Sequence, residues 1–319
     1  ARERNQRALR LFEAADEPAD AERAMTYANL ARSLQELGRF DEAEQAYSRF
    51  AELARRTYGE RHGSYWSGAA DHARLVHLRG DRTRAWTMYD AVAAAVPPDW
   101  HRTTENAAIE ASRGASLLAE GRAADAIPPL ERAERAYAER PGRDHDLRRV
   151  RATLGEAYAG AGRRAEARTT LRQARDEYLA KEAPTAAAVL AVRERWARFL
   201  LDAGDLGEAA RELEAVIADA GDRAIAPAIR AYSTRAQLRL VRQDLDGALD
   251  DSEEAMRRLE RITGLYDVRL RAEIWAAHAR VLARRGADAE AKVLEARASA
   301  ERLAYGVAAG PEPPTVSSR

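Results

Sequence analysis

Small, apolar and turn-forming residues recur along this chain in fixed relation to one another. The stretch ELGRFDEAEQAY (36–47) reads as the end of one helix, a turn at Gly38, and the start of a second helix with acidic residues in its first turn. With Gly38 as an anchor, equivalent positions fall at Gly80, Gly121, Gly162, Gly204, Gln243 and Gly286, at intervals of 42, 41, 41, 42, 39 and 43 residues. Five residues after each anchor stands an alanine: Ala43, Ala85, Ala126, Ala167, Ala209, Ala248 and Ala291. Seven residues before each anchor the side chain is always small: Ala31, Ala73, Gly114, Gly155, Ala197, Ala236 and Ala279. Four residues before it stands an apolar residue (Leu34, Val76, Leu117, Tyr158, Leu200, Leu282), with Arg239 the exception. Three registers in phase over seven copies define a repeat.

The pattern predicts helical hairpins. Small residues at −7 and +5 sit where the two helices of a hairpin cross closely, and a longer side chain there would push the axes apart. The apolar residue at −4 fills the space beside the crossing. A glycine at the end of the first helix supplies the left-handed cap. The second helix should end at Gly59, Gly142 and Gly264, each 21 residues after its anchor, and at Pro97, Pro98 and Pro184 elsewhere.

The order of small residue, leucine, turn glycine and alanine (Ala31, Leu34, Gly38, Ala43, with Phe40 and Tyr47) resembles the tetratricopeptide repeat. The period near 42 residues, and the link TYGERHGSYW (57–66), resemble its longer, kinesin-light-chain-like form. The resemblance implies an all-α, right-handed α-solenoid of helix-turn-helix repeats over about residues 7–305. The expected organisation is a leading helix over 1–20, the second half of a truncated earlier repeat with Ala8 at the position of Ala133, Ala174, Ala255 and Ala298. Seven repeats follow at about 21–63, 64–103, 104–145, 146–185, 186–226, 227–265 and 266–305. Residues 306–319, with Pro311, Pro313 and Pro314, read as a disordered tail.

Composition agrees. Of 319 residues 46% are hydrophobic but only 6% aromatic, so the apolar content is largely alanine and leucine, both strong helix formers. The 52 basic residues balance 52 acidic ones, which argues against a general nucleic-acid or acidic-membrane binder. With no cysteine, disulfides, thiolate nucleophiles and cysteine-ligated zinc are excluded. No apolar run approaches the roughly 20 residues that span a bilayer, and the chain reads as cytoplasmic.

Catalytic chemistry finds no constellation. His72 and His77 are five apart and point to different helical faces, and no metal-ligand spacing occurs among the six histidines. GAGRR (160–164) is a repeat turn rather than a phosphate loop, and the carboxylates of DDSEEA (250–255) read as solvated charges early in a helix. No cofactor or metal is expected. Trp66, Trp86, Trp196 and Trp275 read as packing residues, and Trp100 as an exposed aromatic.

Binding has more to work with. The resemblance implies that first helices line a concave groove, with contacts two, three, six, nine and ten residues before the turn. There the chain offers Asn29, Arg32 and Gln35, then Asp71, Arg74 and His77, and later Arg198. Asn29 has both donor and acceptor for a peptide backbone, and Arg32 and Arg74 suit a carboxylate. The expected function is a protein- or peptide-binding module, the C-terminal regulatory or scaffolding region of a larger bacterial signalling protein such as a Ser/Thr kinase fusion. The alternative is a peptide-pheromone or small-ligand sensor whose superhelix closes around its ligand.

Overall fold

In the computed structural model the chain is described over residues 20–36, 39–60, 62–97, 103–223, 225–262 and 268–304. These hold 14 α-helices and, among the described residues, no strand. The helices are α1 (Asp20–Glu36), α2 (Phe40–Tyr58), α3 (Gly63–Leu78), α4 (Arg82–Ala95), α5 (Thr104–Ala119), α6 (Ala123–Ala138) and α7 (Asp144–Gly160). They continue with α8 (Arg164–Lys181), α9 (Ala187–Ala203), α10 (Leu206–Ala220), α11 (Ala226–Val241), α12 (Leu245–Glu260), α13 (Val268–Arg284) and α14 (Asp288–Ala304). Odd-numbered helices are the first members of hairpins and even-numbered helices the second. The leading helix expected over 1–20, the tail over 306–319, Gly38, Gly264 and Trp100 lie outside the described residues, apart from the first residue of α1.

The chain divides into two compact units, one of 1–117 with 128–144 and 264–267, the other of 118–127 with 145–263 and 268–319. In the first, α1 packs on α2, α2 on α3 and α3 on α4. In the second, α8 through α14 pack each on the next, and the first helices α9, α11 and α13 also pack successively on one another. This side-by-side stacking of hairpins is the α-solenoid class of tetratricopeptide-like folds.

The described turns share one geometry. Gly80, Gly121, Gly162, Gly204 and Gly286 take positive φ, and so does Gln243 at φ 63°, where a side chain must tolerate the left-handed region. In six hairpins the backbone N–H after the anchor reaches the carbonyl four residues before it: Arg39 to Leu34, Asp81 to Val76, Arg163 to Tyr158, Asp205 to Leu200, Asp244 to Arg239, and Ala287 to Leu282, at 2.8–3.2 Å. This long-range closing bond belongs to the Schellman cap, and it draws the −4 side chain down beside the turn. Each +5 alanine then donates the first hydrogen bond of its second helix, as from Ala167 to the Arg163 carbonyl at 2.9 Å.

The core follows the same register. All seven +5 alanines are buried, from 0% exposed at Ala43 to 3% at Ala291, as are the small residues at −7. At Gly155 an added Cβ would stand 2.5 Å from Leu171 Cγ, so close approach requires glycine there. Trp196 is fully buried, and Trp66, Trp86 and Trp275 pack against core clusters.

One expectation is overturned. Asp251, read as a solvated carboxylate, is 3% exposed. It accepts from Arg235 Nε and Nη2 at 2.9 and 2.7 Å, and Arg239 Nη1 stands 3.0 Å away. Arg239 also donates to the Gly247 carbonyl at 2.7 Å. The arginine that breaks the apolar −4 register is thus matched by a buried carboxylate on the second helix of the same hairpin. The pair replaces the hydrophobic plug.

Candidate functional site

In the first unit, a polar ladder crosses the first helices of three consecutive hairpins. Asn29 is exposed on α1, and its Oδ1 accepts from Arg32 Nη2 at 3.1 Å, one helical turn on. The Arg32 side chain is 50% exposed, and its Nε lies 4.0 Å from Asp71 Oδ2 on α3. The other Asp71 oxygen accepts from Ser112 Oγ on α5 at 3.3 Å. Behind it the buried Tyr89 hydroxyl donates to the Ser112 carbonyl at 3.2 Å and lies 3.0 Å from Ser116 Oγ. Burial pushes the Tyr89 phenol well above its usual range, so it stays a neutral donor.

One turn further along the same helices, Arg74 faces Gln35. With the Gln35 amide oxygen turned toward the guanidinium, both Arg74 Nη atoms donate to it at 3.0 Å. His77 is a core residue, 8% exposed, its ring edge-on to Trp86 with centroids 6.2 Å apart. Asn29, Arg32, Gln35, Asp71 and Arg74 therefore present polar atoms on one set of first helices, while His77 packs beneath.

Arg198 lies in the second unit, on α9. Its Nη2 donates to Glu156 Oε1 on α7 at 2.6 Å, and its Nη1 stands 3.5 Å from Glu273 Oε1 on α13. The fully buried Glu194, one turn earlier on α9, accepts from Thr234 on α11 at 3.1 Å. Glu194 first, then Glu156, Glu273 and Asp202, hold Arg198 protonated more firmly than usual against its desolvation. Arg195 Nε adds a 3.3 Å pair to Glu156, and Arg230 Nε on α11 donates to Glu273 Oε2 at 3.2 Å. The repeat register singles out Arg198 but not Glu156, Arg230 or Glu273. The signal was available: Glu156 and Arg198 share the −6 position with opposite charge, and Arg230 and Glu273 share −13.

Both faces are hydrogen-bonding surfaces. Among the described residues, no group of three or more His, Asp or Glu is placed to hold a metal ion. No described helix is long and apolar enough to cross a membrane.

Stacked hairpins with buried small residues at each crossing and polar first-helix faces define a helical-repeat array. The family model for the tetratricopeptide repeat matches residues 25–57, most of the first hairpin. Three solved structures share the fold. A Rap protein complexed with Competence and Sporulation Factor aligns at TM-score 0.68 and 13% identity, covering 89% of this chain and 78% of that one. A tetratricopeptide repeat protein from Parabacteroides merdae aligns at TM-score 0.54 and 13% identity, over 88% and 93%. The APC/C hetero-tetramer Cut9–Hcn1 aligns at TM-score 0.56 and 11% identity, over 93% of this chain and 50% of that one. No curated protein sequence matches the chain. The fold is that of tetratricopeptide-repeat proteins.

Proposed function

We propose that this chain is a non-catalytic module that binds a protein or peptide segment along its first helices, in the groove that the tetratricopeptide architecture implies. The observation that carries this reading is the ladder Asn29–Arg32–Asp71–Ser112, which runs across three hairpins with the Arg32 guanidinium half-exposed. An extended segment laid across it meets an amide that both donates and accepts, and a guanidinium that suits a carboxylate side chain or terminus. Gln35 and Arg74 continue the face by one turn, and Arg198 is its counterpart in the second unit.

The test uses peptides selected from a random library on the parent protein. Arg32→Ala with Arg74→Ala should weaken their binding tenfold or more, since hydrogen bonds to charged groups contribute about 1.5–3 kcal/mol each. The melting temperature should hold. Full-strength binding by the double variant removes this face from consideration.

In this reading the module is the C-terminal regulatory or scaffolding region of a larger, cytoplasmic bacterial signalling protein, with a Ser/Thr kinase as the fused domain. The sequence of the gene upstream of the Ala1 codon decides that point. A sensor that closes around a peptide is the second reading. It draws support from the likeness to the Rap protein, solved with Competence and Sporulation Factor. Contraction in small-angle scattering on addition of a selected peptide would favour the sensor, and unchanged dimensions the scaffold.

A further inference from the structure

In a stacked array each repeat is expected to touch only its neighbours. Arg198 and Glu273 depart from that rule. Arg198 belongs to α9 in the fifth hairpin and Glu273 to α13 in the seventh, yet Nη1 and Oε1 are 3.5 Å apart, past the whole of α11. The contact is diagonal: Arg198 lies six residues before its turn anchor and Glu273 thirteen before its own. Helix α11 supplies the middle of the bridge, with Arg230 Nε donating to the second Glu273 oxygen at 3.2 Å. Two guanidinium groups from successive first helices therefore share one carboxylate from a third. That carboxylate is the most exposed member of the group, at 42%, against 34% for Arg198 and 25% for Arg230. At its other end Arg198 is anchored by Glu156 at 2.6 Å. Arg198 is thus held at one end by Glu156, while at the other it shares with Arg230 a carboxylate that water reaches.

We infer that Glu273 is a latch: its carboxylate fills a cradle made by Arg198 and Arg230, tying the first helices of the fifth and seventh hairpins together until a carboxylate from an acidic partner segment replaces it. The exchange is isoelectric, one carboxylate for another, so no buried charge is left unpaired when the latch opens. What changes is the tether. An incoming carboxylate satisfies both arginines without linking them to α13, which still packs on α11.

The absence of cysteine makes the measurement clean, since two introduced cysteines are the only labelling sites. Spin labels at Ala203→Cys and Ala283→Cys report the separation of the turn ends of α9 and α13. Glu273→Gln, which keeps shape and removes charge, should lengthen that distance by about 2 Å, the scale of helix shifts at packed contacts. Glu290→Gln, which removes a charge from the exposed side of α14, should leave it unchanged. Hexaglutamate should move the parent protein toward the Glu273→Gln distance and leave Glu273→Gln itself where it is. Salt at about 1 M should do the same to the parent by screening. A Glu273→Gln distribution that superimposes on the parent, or a parent that hexaglutamate does not move, overturns the latch. The latch is read without any peptide on the Arg32–Arg74 face, so its failure is distinct from failure of the binding function proposed above.

Discussion

Gly68 shows how much one hydrogen atom decides in this fold. A Cβ at Gly68 would stand 1.9 Å from Phe50 Cε1 and 2.3 Å from Cζ, so the Phe50 ring lies in the notch that glycine leaves on α3. Phe50 is twelve residues after its anchor and Gly68 twelve before the next. The same two positions meet elsewhere with other volumes: Val92 with Ile109, Ala174 with Val192, and Ala255 with Ile274 share core clusters. In three of these junctions a larger residue on one helix is matched by a smaller one on its partner (Phe50 with Gly68, Val192 with Ala174, Ile274 with Ala255), while Val92 with Ile109 pairs two branched side chains, so each junction is packed in its own way. Gly68→Ala should therefore lower stability by at least about 1–3 kcal/mol in urea unfolding. In a Phe50→Ala background the same change should be nearly neutral or stabilising, so the cycle yields a coupling energy of opposite sign to the single cost. An unchanged midpoint for Gly68→Ala alone would contradict the packing.

For the helices, the caps decide. Gln243 holds a left-handed backbone at φ 63° in a turn where five other described hairpins place glycine. The surrounding hydrogen bonds, Gln243 N–H to Leu240 and Asp244 N–H to Arg239, are those of the glycine turns, so the geometry is imposed whatever the residue. Gln243→Gly should raise stability by about 1 kcal/mol, the steric penalty of a non-glycine residue in that region. A lower melting temperature would show that the glutamine side chain makes up for its backbone. At this scale the sequence was highly legible. The turn, the cap and the close crossing each restrict the residue type at one spacing: glycine marks the turn in all copies but that of Gln243, and alanine marks the +5 crossing in every copy. The Arg239 exception was visible, but its partner was not. Asp251 lies in an acidic run, and only the packing of α11 on α12 separates the one buried carboxylate from its solvated neighbours. For the same reason the burial of His77 was hidden: spacing assigns a residue to a face, and the reach of Trp86 across it is a matter of rotamers.

Across the whole molecule, charge is balanced in number and spent locally. Arg79 at the end of α3 reaches Asp41 at 2.7 Å and also pairs with Glu44 in the hairpin before it, and Arg285 likewise pairs with Asp246. Such exposed pairs contribute little each, and two half-buried imidazoles, one in each unit, add a pH response of their own. Burial lowers His278 below its ordinary 6.5, against the pull of Glu253 and Glu290; its Nδ1 lies 2.8 Å from Ser252 Oγ. Burial lowers His72 as well, with Glu44 opposing and Arg84 assisting, while its ring stacks on Tyr47. In both cases the unfolded chain takes up a proton that the folded one resists. Stability should thus be complete above about pH 6.5 and decline as pH falls below it toward the folded values. The urea midpoint should drop between pH 7.5 and 5.5, and His72→Gln with His278→Gln should flatten that slope; an equal slope in the double variant would place its origin in the carboxylates. The pairing of Phe50 with Gly68 reaches further than stability. Each hairpin crosses itself through the same alanines, but meets its successor through volumes particular to that junction. The cassette that can be transplanted within this array, or lent to another, therefore runs from one turn glycine to the next: a second helix together with the first helix that follows it, and never the hairpin the eye picks out.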